Sequence, residues 1–202
     1  MADLKKLSQV QPIAQTFQIP FGGGSDKENA NFDGGAFVTS VDLFFFGKDE
    51  ELPVFIEIRE TDTGYPTTKR LVFARAVLNP EDVSTSELGD VPTTFTFESP
   101  VYVLESTDYA IVVGSHSPEY KIFMSRMGED NLLGGKILDK QPMLGTLFKS
   151  SNDSAWAISP MEDLKITINA ALFEAGRTSV TKSLADDEGR GNLSLVNATL
   201  PN

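Results

Sequence analysis

The stretch Phe37-Val38-Thr39-Ser40-Val41-Asp42-Leu43-Phe44-Phe45-Phe46 decides the fold. With the two-residue period of an extended strand, Phe37, Val41, Leu43 and Phe45 share one side, and Val38, Phe44 and Phe46 share the other. Apolar residues on both sides near a strand's end predict burial on both faces. Such a strand belongs inside a sandwich or against a partner, not on an open sheet.

The same grammar recurs along the chain. Residues 13–19 read as a first strand stopped by Pro20. In 53–60, Val54, Ile56 and Ile58 alternate with Phe55, Glu57 and Arg59, the pattern of a half-buried strand. Asp62-Thr63-Gly64-Tyr65-Pro66 reads as a turn, and 70–78 as a strand with Leu71, Phe73 and Val77 inward. Residues 94–97 and 101–104 read as two strands split by Ser99-Pro100. Further strands are expected at 108–114, 120–127, 155–158 and 164–173, with a short one at Leu147-Phe148. No stretch has the pattern of a long helix. Short strands with turn signals between them predict an all-β protein, an antiparallel β-sandwich of jelly-roll-like character. The predicted core is Phe37, Val41, Leu43, Phe45, Ile56, Ile58, Phe95, Phe97, Ile111, Val113, Ile122, Leu164, Ile166 and Ile168.

The expected organisation is a leader or linker over 1–11, a sandwich domain over 12–174, and an extended C-terminal docking segment over 175–202. Residues 174–192 are polar and include Asp186-Asp187-Glu188. Alternation returns over 192–200 through Leu193 and Leu195. So short a segment cannot bury itself, and it is expected to add to a sheet edge, its own or a neighbour's.

Composition narrows the chemistry. With 202 residues the chain can bury a sizeable core without staples. It has no cysteine, which removes disulfides and Cys-based metal centres. The lone histidine, His116, in Ser115-His116-Ser117-Pro118, reads as a surface turn residue. The net charge of −12 repels phosphate backbones, so nucleic acid is not an expected partner. No stretch is long and apolar enough for a membrane span, and the start has no apolar signal region. The Asn-x-Ser/Thr sequons at Asn152, Asn192 and Asn197 read as chance.

Candidate sites are weak. Asn29-x-Asn31-x-Asp33-Gly34 has the oxygen spacing that opens a calcium loop, but Ser40 stands where its closing Glu belongs. Gly22-Gly23-Gly24 lacks the Lys-Ser/Thr of a phosphate loop. Tyr65, Tyr120 and Trp156 are the rings available for a sugar platform, with core packing the favoured reading of Trp156. Asp49-Glu50-Glu51 and Asp186-Asp187-Glu188 read as solvated loops or docking patches. No catalytic, cofactor-binding or metal residue is assigned, and no enzyme activity or cofactor is expected.

An ordered series of blocks resembles a family. It comprises Ala14-Gln15-Thr16-Phe17, Gly35 with Phe37, Thr39 through Phe45 with Lys48, Pro53-Val54, Ile58-Arg59-Glu60 and Gly64-Tyr65-Pro66. It continues through Thr94-Phe95-Thr96-Phe97, Ser99-Pro100-Val101-Tyr102, Tyr109-Ala110-Ile111-Val112 and Arg126-Met127-Gly128-Glu129. Gln141-Pro142, Gly145, Leu147-Phe148-Lys149-Ser150, Asn152, Trp156 and Glu162-Asp163-Leu164 complete it. Over roughly residues 12–174 the chain resembles a β-sandwich module of tailed-bacteriophage structural proteins, found in baseplate and tail-fibre components. The resemblance implies a structural role in the virion, in its tail or baseplate region. It implies other virion proteins as partners, within a homo-oligomer or a larger symmetric assembly, and it supplies no catalytic residues. The alternative is a carbohydrate-binding receptor-recognition module with host glycan as ligand.

Overall fold

A computed structural model describes residues 11–19, 34–129, 145–171, 183–184 and 192–196, the last two as backbone only. One sheet has six strands. In spatial order they are β11 (Trp156–Ser159), β10 (Leu147–Ser150), β1 (Ile13–Phe17), β7 (Tyr109–Ser115), β4 (Val54–Asp62) and β5 (Tyr65–Leu78). The other has five: β14 (Ser183–Leu184), β15 (Asn192–Val196), β13 (Ile166–Ala171), β2 (Gly35–Leu43) and β6 (Thr93–Leu104). Two ribbons, β3 (Phe45–Gly47) with β8 (Lys121–Ile122) and β9 (Met124–Arg126) with β12 (Glu162–Leu164), flank Phe123. The Phe123 N–H donates to the Phe44 carbonyl at 2.9 Å, and its carbonyl accepts from the Lys165 N–H at 3.0 Å.

The described strands pair antiparallel, save β15, which runs parallel to β13. No α-helix occurs among the described residues, so none is long and apolar enough to cross a membrane. The core lies between the sheets. Phe17, Ile56, Ile58, Ile111 and Val113 from one face Val38, Val41, Leu43, Phe95 and Ile168 from the other. The expected all-β sandwich is therefore the fold, and β5 and β6, the outer strands of the two sheets, lie against each other.

Most of the predicted core is inside, but Phe37 is not: it is 38% exposed. The reason is a bulge. Along β2, Ser40 pairs with Asn169 and Val38 with Ala170, so Thr39 is an extra residue. One extra residue exchanges the faces of everything before it. Val38 and Ala36 turn inward, and Phe37 turns out onto the Tyr102 ring at 4.9 Å. The expected strand 37–46 also breaks at Phe44, and Phe46 is exposed rather than buried on a second face. Ile122 is half-buried against the core. Ser99-Pro100 does not split two strands. It sits within β6, in the irregular stretch where Val38 pairs with Val101 and Ser40 with Thr96. Proline, having no N–H to donate, is accommodated there.

Of the expected C-terminal segment, the described pieces pair within their own chain: Thr167 faces Asn192 and Ala171 faces Val196. The loop 22–25, Asn29, Asn31, Asp33 and 186–188 lie outside the described residues.

Phe45 is 1% exposed, so Phe45→Ala should cost about 3–5 kcal/mol in urea unfolding. Phe37→Ala should cost at most about 1.5 kcal/mol, the scale of one aromatic pair. Equal losses would contradict the exchanged face of β2.

Candidate functional site

The β5 edge of the six-stranded sheet carries the largest register surplus among the described strands. Glu57 of β4 pairs with Arg75 of β5 and Arg59 pairs with Arg70, so two steps along β4 match five along β5. The surplus bulges outward. Ala74 stays buried and Leu71 packs on the core, while Val72 and Phe73 are 74% and 57% exposed. Phe73 has φ +61°, left-handed backbone that costs a side-chain-bearing residue on the order of 1–2 kcal/mol. Large exposed apolar groups beside strained backbone mark contact surfaces more often than core. Phe73 and Val77 were expected to point inward; the bulge turns Phe73 out, and Ala74 and Ala76 take the inward positions. Arg70, Leu71, Val72, Phe73, Arg75, Val77 and Glu98 line an open groove of about 520 Å³ there.

Behind the groove lies a buried charge cluster. Arg59 donates through Nε to Glu57 at 2.8 Å, and through Nη1 and Nη2 to the two Asp153 oxygens at 2.7 and 3.0 Å. Arg75 also donates to Glu57, and its guanidinium lies 4.4 Å over the Phe55 ring. Arg70 reaches the same carboxylate at 3.3 Å. Burial pushes the Glu57 carboxyl up, but the bonds and charges of Arg59 and Arg75 overrule it and hold it below the usual carboxylate range. Burial likewise works against the Arg59 charge, and the bonds to Asp153 and Glu57 overrule it, raising its pKa.

Asp153 arrives from the β10–β11 turn. The Asn152 side-chain oxygen accepts from the N–H groups of Ser154 and Ala155, at 3.1 and 2.8 Å, which fixes that turn. Asp153 has φ +61°, a conformation aspartate tolerates better than most residues.

The sequence-derived candidates are dispersed. Trp156 packs into a small second cluster with Ala14, Ala110, Val112 and Phe148. Tyr65 lies over Phe148, ring centroids 5.3 Å apart. Tyr120 is elsewhere, edge-on to Phe45 at 5.9 Å, with its hydroxyl donating to the Leu52 carbonyl. The three rings do not share one platform. Asp49 caps its own loop, accepting from the N–H groups of Glu51 and Leu52 and from the Ser117 hydroxyl. The Ser117 bond leads in holding its carboxyl below the usual range. His116 is exposed after β7. Among the described residues, no group of three His, Asp or Glu side chains is placed to hold a metal ion.

The β5 groove and the Glu57 cluster were not foreseen from sequence. No sequence signal marks them: Arg70 and Arg75 have opposite parity, and only the bulge between them lets both reach Glu57.

Comparison with protein-family models, curated proteins and solved structures finds no match to this chain.

Glu57→Gln should destabilise the fold by about 1–3 kcal/mol, because it leaves Arg59 with Asp153 as its one carboxylate and takes the shared carboxylate from Arg70 and Arg75. A carboxyl with a lowered folded pKa adds stability that is present above its unfolded value, near pH 4.3, and lost as pH falls through the folded value. Chemical unfolding from pH 7 to 3 should therefore show an acid-side decline that is shallower in Glu57→Gln.

Proposed function

We propose that this chain is a structural component of a tailed-phage virion that docks into the tail, baseplate or fibre assembly through protein–protein contacts. The observation that carries this reading is the β5 bulge, where Val72 and Phe73 stand exposed beside Arg70 and Arg75 on a braced strand. Aromatic and arginine groups together are the composition that protein interfaces favour. The family resemblance supports the placement in a virion. Many of its matching residues, among them Phe17, Val41, Leu43, Phe95, Ile111 and Leu147, are core residues. They speak to the scaffold, and the exposed edge speaks to the docking.

Carbohydrate recognition is the second reading, and one feature favours it. The exposed Phe37–Tyr102 pair shares a sheet face with exposed Thr94 and half-buried Asp42, the Thr94 hydroxyl donating to the Asp42 carboxylate at 2.6 Å. Rings beside fixed polar groups suit a sugar's apolar face and hydroxyls.

Mass spectrometry of purified particles from the source phage should find the chain in amounts comparable to other tail proteins. Its absence from particles would overturn the virion reading. On a glycan array, binding that Phe37→Ala abolishes would favour the second reading over the first.

A further inference from the structure

We propose that the pair β14–β15 is an exchangeable element: where two copies of the chain meet, the β13 edge of each takes residues 192–196 of the other. The inference rests on the reading of the chain as a component of an assembly, and it names one contact by which copies join.

The first argument is the edge itself. β13 lies between β2 and β15, and all six of its residues are buried. Without β15, a row of its backbone N–H and C=O groups would stand open, which is costly and offers a template to any free strand. The edge has to be filled, and the question is which copy's strand fills it.

The second argument is fit. β15 runs parallel to β13, with Leu193 and Leu195 at the register positions of Ile168 and Ala170, both core residues. Asn192 and Ser194 hold the positions of Thr167 and Asn169. This alternation matches β13 in any copy, because every copy presents the same edge. Exchange therefore leaves every strand pairing in place and alters only the copy that supplies it.

The third argument is the link. Residues 172–182 join β13 to β14, and these eleven residues span up to about 36 Å when extended. Closing onto the chain's own β13 needs far less. Ser183 pairs with Ser194, and Ser194 with Asn169, so Ser183 lies two strands across and two residues back from Ala171. At ordinary strand spacing and rise that is about 12 Å. The surplus reach lets the same link carry β14–β15 to an adjacent copy. A strand on a link of this length meets its own edge at an effective concentration on the order of millimolar. Copies held side by side in an assembly present a second edge at a similar concentration, so exchange competes there and fades in dilute solution.

The chain has no cysteine, so introduced thiols report without background. Thr167→Cys in one preparation of the whole chain and Asn192→Cys in an isotopically heavy one occupy facing register positions. Unfolded in urea, refolded together at about 500 µM and briefly oxidised, they should give a heavy–light 167–192 disulfide in about a tenth of the chains or more. The yield should fall about tenfold when the mixture is refolded at about 5 µM. Asn202→Cys in place of Asn192→Cys puts the thiol outside the register and should give about a tenth of the yield or less. If either variant fails to regain the wild-type circular dichroism spectrum, Ala171→Cys with Val196→Cys probes the other end of the same register. A register-matched link no more abundant than the 167–202 link overturns the inference. A chain found in particles that fails this test refutes the exchange and leaves the virion reading standing. A chain that exchanges yet is absent from particles does the reverse.

Discussion

Eight steps along β4, from Val54 to Asp62, are matched by thirteen along β5, from Leu78 to Tyr65. Much of the outer edge follows from that mismatch. The backbone must keep its ladder on either side of the surplus, and from residues 71–78 the interior takes Ala74, Ala76 and parts of Leu71 and Leu78. The remaining side chains are driven to the surface, and the strand bends where they leave. The bend is not slack. Glu57 gathers guanidinium groups from both sides of the surplus, so one buried carboxylate fixes where the strand departs and where it returns.

Where pairing runs unbroken, the period of two was a reliable guide. Ile56, Ile58, Ile111 and Val113 lie in the uninterrupted register of β4 with β7 and are inside as the alternation requires. Phe37 and Phe73 were misplaced for one shared reason. A bulge shifts parity by inserting residues that are individually unremarkable, and nothing in Thr39 or Leu71 announces the shift. Glu57 and Arg59 read as a solvent face because they are charged. They are buried because Asp153, far away in sequence, pairs with Arg59, and Arg70 and Arg75 of β5 reach Glu57. Both errors arise from tertiary pairing that a local window cannot see, and the candidate site sits where both occur.

Polar side chains elsewhere serve architecture more than chemistry. Gln15 is fully buried between the sheets. It donates to Asp163 at 3.2 Å and accepts from the Leu164 N–H at 3.1 Å, tying β1 to β12. Asn152, Asp49 and Lys48 each satisfy backbone groups of a turn or loop that has no ladder of its own. These side chains thus supply, in the loops, the bonds that the ladders supply in the sheets.

The position of β1 in the six-stranded sheet has a consequence in time. Ile13 pairs with Val113 on one side and with Lys149 on the other, across separations of 100 and 136 residues. The strand that leads the described chain thus gains its two neighbours only after most of the chain has been made. Closing such long loops before any contact rewards them is slow, and topologies of this kind fold at the slow end of the range for single domains. Until residues near 150 leave the ribosome, β1 and the central strands beside it expose unpaired backbone. The chain's large negative charge, unneeded for the folded core, keeps such half-made molecules apart by mutual repulsion.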